Sequence, residues 1–266
     1  MINKVKVLKP YIGVTDFTTR AQVEEAKAFI HKDSGRVLHV GAMRSYKTHK
    51  RIPTKPGWEK IWLVPEQLQD LFIPDDNVFN VLHWADFGKD HLTTTKELIE
   101  ACAICGVGLD GLQLDMVWPN VAMLQVFKEV RPDITVILQV SKDAMNVSQT
   151  NGKTFIEDLA PYVDLVDFVL LDYGVGRGTP FIAETLLKSI KETVTLFPEN
   201  RIVVGGGLGP QTFYSLEPIL QRFPLISWDA QGQMRSSSNA VDPIEMNRVT
   251  AYLRGSSTLA AKYMKK

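Results

Sequence analysis

The sequence predicts a single (β/α)8 barrel, an α/β fold in which eight parallel strands close into one sheet. Three observations carry that expectation. The chain has 266 residues, near the ~250 typical of an eight-unit barrel. Short apolar, β-branched runs alternate with longer helical patterns from end to end, as strands joined by crossover helices do. No linker, internal repeat or low-complexity segment interrupts the alternation, so residues 1–266 read as one domain.

Strands are expected over residues 11–15, 36–41, 77–84, 111–116, 135–140, 166–172, 201–205 and 224–229. Each is a short run rich in Val, Ile, Leu or aromatic residues, bounded by Gly, Asp, Asn or Pro. Helices are expected over 19–31, 94–105, 120–130, 154–162, 181–194, 211–221 and 243–254. The last begins with Asp242 as N-cap and Pro243 in the first turn, where its missing N–H costs nothing. The second unit is the least regular. Residues 41–77 carry a basic, proline-bearing stretch (Arg44, Lys47, Lys50, Arg51, Pro53, Lys55, Pro56) and then a short helix over 66–71. Connections of that length are lids or disordered segments, and a loop over the barrel mouth is one reading.

Composition limits the function. Hydrophobic residues make up 45% and charged residues 23%, the profile of a globular protein. Lys plus Arg and Asp plus Glu both number 30, so no bulk field draws nucleic acid or an anionic membrane. The basic stretch has only Tyr46 and Trp58 as interleaved aromatics, too few for a stacking platform. The expected partner is a small molecule, with no nucleic acid, no membrane and no cofactor, and the chain acts as a monomer or homodimer. Two cysteines cannot make a disulfide framework, and the first residues lack the apolar segment of a secretory signal, so a cytoplasmic location is expected. Cys102 and Cys105 end a helical pattern with no second pair to complete a zinc site, which favours buried packing.

In a barrel of this kind chemistry collects where the βα loops meet, beyond the carboxyl ends of the strands. Val203-Val204-Gly205-Gly206-Gly207-Leu208-Gly209-Pro210 runs from strand into glycines and then a helical pattern, the form of a phosphate cradle. A tight strand-to-helix turn would also favour glycine. A second glycine loop follows Asp172 and contains Arg177, Gly178 and Thr179. Asp172 ends its strand, where partial desolvation suits a general acid, or it caps the loop or pairs with Arg177. The loop from Asp229 to Asn239 supplies Gln231, Gly232 and Gln233, which would close a phosphate pocket with Gly206 and Gly207 or form a solvated polar loop.

Taken in series, Ile12-Gly13-Val14-Thr15, Leu109-Asp110-Gly111-Leu112-Gln113-Leu114, Leu170-Leu171-Asp172, Arg177-Gly178-Thr179, Gly206-Gly207-Leu208 and the segment from Asp229 to Asp242 resemble phosphoribosylanthranilate isomerase of tryptophan biosynthesis. The order and spacing match over almost the whole chain. The resemblance implies an Amadori rearrangement of a phosphorylated sugar, with Asp172 as general acid and Gly206, Gly207 and Gln231 to Gln233 at the phosphate.

Departures from the family pattern bear on mechanism. The family's cysteine base precedes the Gly-Ile-Thr of strand one, and Ile12 stands there. The family's histidine after the Gly-Val-Gln-Leu strand is Asp115 here. Its glycine-threonine-glycine phosphate loop becomes Arg177-Gly178-Thr179-Pro180, in which Pro180 lacks an N–H and Arg177 offers a charge-assisted contact. Asp115 is the expected substitute base, with His83 and Asp86 next. Asp115 could equally cap a helix or pair with Arg44, which is itself expected at the substrate. Two other readings stay open: a binding or regulatory protein that lost catalysis with the cysteine, and a metal-dependent sugar-phosphate epimerase using His83, Asp86 and His91. A site without metal is the expectation.

Overall fold

The alternation of side chains along each strand sorts the core into two parts. In the computed structural model, which describes residues 8–87, 92–174, 183–237 and 239–264, eight parallel strands close in sequence order, with β1 pairing β8. They are β1 (Tyr11–Thr15), β2 (Val37–Ser45), β3 (Val78–Ala85), β4 (Gly111–Asp115), β5 (Thr135–Ser141), β6 (Phe168–Asp172), β7 (Ile202–Gly205) and β8 (Ser227–Ala230). Residues such as Ile12, Val14, Leu38 and Val40 face outward and bury under the helices. Tyr11, Phe79, Val81, Ile137, Phe168, Leu170 and Val203 fill the interior. There Tyr11 stacks on His39 at 4.9 Å and meets Phe168 edge-on at 5.3 Å. His39 thus points into the barrel, as its alternation with Leu38 and Val40 predicts. This aromatic plug is the floor on which the cavity above it rests.

The described helices are α1 (Arg20–Lys27), α2 (Tyr46–His49), α3 (Pro65–Leu71), α4 (Thr95–Ala103), α5 (Val121–Val130), α6 (Lys142–Thr150), α7 (Phe155–Leu159), α8 (Ala183–Thr193), α9 (Glu217–Leu220) and α10 (Met246–Met264). Capping boxes start three of them, at Thr19 with Gln22, Thr94 with Glu97 and Thr154 with Glu157. α6 lies where the sequence predicts no element. Its Asn, Ser, Gln and Thr content weakens the helical pattern, but Ser141 caps it by accepting from the Ala144 N–H at 3.3 Å.

Three expectations are corrected. β2 continues to Ser45 because residues 42–45 pair with Leu82–Ala85; Arg44, read as the start of a basic loop, turns its guanidinium outward to the Leu63 carbonyl, 3.4 Å away. The pattern over 211–221 breaks into a 3-10 turn at Phe213–Leu216 followed by α9, since Pro218 cannot donate back to Tyr214. α10 begins at Met246, not Pro243, because Asp242 is taken by the preceding loop: its carboxylate accepts from Ser237 Oγ at 2.7 Å and its carbonyl from Arg235 Nε. No described helix is long and apolar enough to cross a membrane.

Candidate functional site

Above the aromatic floor, at the carboxyl ends of the strands, lies a cavity of about 240 Å³. Its wall takes Met43 and His83 from β2 and β3, Gln113 and Asp115 from β4, Gln139 and Ser141 from β5, Leu170 and Asp172 from β6, and Asp229 from β8. Gly206 and Gly207 after β7, and Gln231, Gly232 and Gln233 after β8, close one side. Trp58, from the basic stretch after β2, reaches the mouth. Among the described residues no cation of that stretch lines the cavity, and Lys50 pairs with Glu97 at 2.6 Å.

The inward face carries a continuous hydrogen-bonded chain across four strands. Asp115 Oδ2 lies 3.3 Å from His83 Nε2, and Gln113 Nε2 lies 3.3 Å from His83 Nδ1. The same Gln113 nitrogen donates to Gln139 Oε1 at 2.9 Å, and Gln139 Nε2 donates to Asp172 Oδ2 at 3.0 Å. The other Asp172 oxygen accepts from the Gly174 N–H at 2.8 Å. Direct lateral pairing of His83 with Gln113 in the sheet sets the first contact.

Burial sets the charge states. Asp172 is held above the ordinary carboxylate range by desolvation, opposed by the Gly174 N–H and reinforced by the charge of Asp115. Asp229 is pushed up to about 7, again chiefly by burial. Its Oδ1 accepts from its neighbour's Ala230 N–H at 2.9 Å and its Oδ2 from Thr15 Oγ1 at 3.4 Å. Burial opposes charge on His83, yet the hydrogen bond and charge of Asp115, with Asp229 and Asp16 behind, raise its pKa overall. His39, fully buried beneath, is driven down to about 3 and is neutral. Two carboxyl groups with raised proton affinity, Asp172 and Asp229, therefore share one cavity with Asp115 and the His83 imidazole, an arrangement suited to general acid–base chemistry.

The rim after β7 and β8 is fixed from behind. Gly206 and Gly207 have φ of +100° and +70°, a conformation that favours glycine. A Cβ on Gly206 would lie 2.6 Å from the Gly174 nitrogen, so the two loops touch through bare backbone. Gln231 is held by its side-chain nitrogen on Asp16 Oδ2 at 3.1 Å and by its carbonyl, which accepts from Arg235 Nη1 at 3.0 Å. Arg235 and Asp16 form a fully buried ion pair.

The structure brings together Asp172, Asp115, Gly206, Gly207, Gln231, Gly232 and Gln233. Arg177, Gly178 and Thr179 lie outside the described residues. Arg44 is not at the cavity and does not pair with Asp115, whose partner is His83. The helix expected to aim its N-terminus at the β7 glycines is displaced: a turn and a 3-10 segment come first, so only loop backbone borders the cavity there. Ile12 packs outward under the helices, away from the cavity. Asp86 is buried and accepts from the Thr93 N–H and hydroxyl at 3.0 and 2.7 Å, a loop-fixing role. His91 lies outside the described residues. Among the described residues no group of three or more His, Cys, Asp or Glu is placed to hold a metal ion. Cys102 and Cys105 are buried, with desolvation raising both thiols, Cys102 to about 12.

Sequence reasoning missed Asp229 as a proton-binding group, and it missed Gln113 and Gln139. The last two had a visible signal: each amide stands between two apolar residues within a strand, where only an inward polar position explains it.

Comparison with family models and with curated proteins finds no match. Solved structures do match. TrpF from Jonesia denitrificans is 17% identical with a TM-score of 0.61, over 94% of this chain and 98% of that one. Phosphoribosyl anthranilate isomerase from Thermus thermophilus is 14% identical with a TM-score of 0.61, over 95% and 98%. The catalytic domain of a chitinase from Pyrococcus furiosus is 14% identical with a TM-score of 0.56, over 96% of each chain. At such identities the likeness is one of architecture, and the chain is a (β/α)8 barrel of the kind shared by proteins of differing function.

Proposed function

We propose that the protein is an acid–base isomerase of the phosphoribosylanthranilate isomerase kind, acting on a small phosphorylated sugar. The observation that carries this reading is that Asp115 on β4 and Asp172 on β6 line the same cavity as the Gly206–Gly207 and Gln231–Gln233 rim, Asp172 pairing laterally with Gly205 where that rim begins. Asp172, with its raised proton affinity, donates to the sugar ring oxygen as the ring opens. Asp115, with His83 hydrogen-bonded to it, takes the proton from C2 of the opened sugar to leave an enol, and the ketose forms when a proton is returned to C1 and the 2-hydroxyl proton is lost, so that no net proton is gained or lost. Ile12 takes no part, so the work of the family's cysteine passes to the β4 carboxylate. The rim's backbone and amides seat the phosphate.

The test is conversion of phosphoribosylanthranilate and simpler phosphorylated aldoses to ketoses, with binding measured by calorimetry. Wild type converts at least one, and Gly232→Asp, which sets a carboxylate at the rim, weakens phosphorylated ligands at least tenfold. Unchanged affinity in that variant would reject the placement. Tight binding without any conversion would make the chain a binding protein.

A second reading is favoured by one observation. The described lining includes Asp115, Asp143, Asp172 and Asp229 and, among the described residues, no Lys or Arg. Such a wall suits the hydroxyls of an uncharged sugar, and a chitinase is among the similar folds. Tighter binding of the dephosphorylated sugar than of its phosphate ester would select this reading.

A further inference from the structure

The chain of side chains from Asp115 to Asp172 has a property that follows from the donors and acceptors alone. Each amide nitrogen points toward Asp172: Gln113 donates to Gln139, and Gln139 donates to Asp172. This order needs Asp172 ionised, so that Oδ2 accepts, and His83 unprotonated at Nδ1, so that it accepts from Gln113. His83 then carries its one proton on Nε2, toward Asp115. Gln113 Oε1 is buried without a hydrogen-bond partner in this arrangement, an unmet acceptor in the protein interior.

Protonating Asp172 on Oδ2 reverses the order. The carboxylic acid must donate, so Gln139 turns its oxygen toward it and its nitrogen toward Gln113. Gln113 then turns its oxygen inward to accept from Gln139, and that oxygen also faces His83 Nδ1. A bare Nδ1 would now meet an acceptor, so it must carry a proton. Nε2 keeps its proton because it faces the Asp115 carboxylate. The first state holds one proton, on His83 Nε2; the second holds three, on Asp172, Nδ1 and Nε2. Two protons enter together.

We propose that Gln113 and Gln139 are positioning residues whose paired amide reversal makes Asp172 and His83 gain and lose protons in concert. This opposes plain charge attraction, under which a protonated His83 would favour an ionised Asp172. The other ionisable groups facing the pair are Asp115 and Asp143 on the wall, Asp229 from β8, Asp16 after β1 and His39 below. Both amides are within 7% of full burial, so water does not stand in for them readily. The inference builds on the reading of Asp172 as an acid, but its test needs no turnover.

The experiment is a pH titration of the whole protein by NMR, following the Asp172 carboxyl carbon and the His83 ring nitrogens. The expected result is one shared midpoint, a slope steeper than one proton, and Nδ1 changing from bare to protonated through it. Gln139→Met and Gln113→Met, which keep length but remove the amide, are each expected to split the midpoint by more than one pH unit with one-proton slopes. Distinct midpoints in wild type would overturn the proposal without recourse to any variant. So would a shared midpoint that survives in either folded methionine variant. Isomerase activity, present or absent, moves neither outcome.

Discussion

The carboxyl group of Asp229 occupies the space in front of Gly13: a Cβ on that glycine would lie 2.4 Å from Asp229 Oδ1. The two residues pair laterally across the β1–β8 seam that closes the barrel. A missing side chain on one strand thus makes room for a buried acid on the next.

Gly13→Ala is expected to push Asp229 off its Thr15 contact. Overpacking of this kind costs about 1–3 kcal/mol, and catalysis falls with the displaced carboxyl. Denaturant unfolding measures the first effect. An alanine variant with an unshifted midpoint would place the carboxyl elsewhere.

Asp229 also predicts a pH dependence of stability. Its folded pKa of about 7 exceeds the ordinary value near 4, so the folded chain holds this proton more tightly than the unfolded one. The contribution is complete below about pH 4, declines as pH rises and is gone above pH 7. Its full size is at most roughly 4 kcal/mol, at 1.36 kcal/mol per pH unit. Urea unfolding of wild type and Asp229→Asn across pH 4–8 reads it as a stability difference falling with pH. A flat difference would contradict the buried placement.

Asp172→Asn is expected to lower turnover by about 10²–10⁴, the usual worth of a positioned acid, while ligand affinity changes less than a few-fold. Asp115→Asn is expected to behave alike. Steady-state kinetics with calorimetric binding separates the two quantities; a loss of affinity that matches the loss of rate would make these residues binders only.

Arg235→Met leaves Asp16 buried without its cation, a change that costs about 3–5 kcal/mol. It also removes the donor to the Gln231 carbonyl, leaving that residue tied only through Asp16, so ligand affinity falls with stability. Adding Asp16→Asn is expected to recover part of the stability, and a double-mutant cycle measures how much. Strict additivity would mean the two groups do not interact.

The architecture was legible because periodicity and flanking turn residues report backbone geometry directly, and all eight expected strands overlap observed ones. Boundaries failed where a partner outside the local pattern decides the backbone: Arg44 read as loop because its pairing with Trp84 on β3 was invisible, and Asp242 read as a cap because its bonds to Arg235 and Ser237 in the preceding loop were. In the site, Asp172 and Asp115 were readable from their positions at strand ends. Asp229 was not, since its chemistry comes from a neighbouring strand with a bare backbone position, 216 residues earlier. Gln113 and Gln139 lacked meaning until the barrel closed and set them side by side.

The contact of Gly174 with Gly206 also bears on how this barrel can be re-engineered. Neither position admits a methyl group, because each would strike the other's main chain. Libraries meant to alter ligand preference gain nothing by sampling them, and diversity is better placed at Trp58, Met43 and Gln233, which already carry side chains bordering the same space. The contact of Gly174 with Gly206 thereby fixes the spacing of the backbone just after β6 and β7, and selection must work around it.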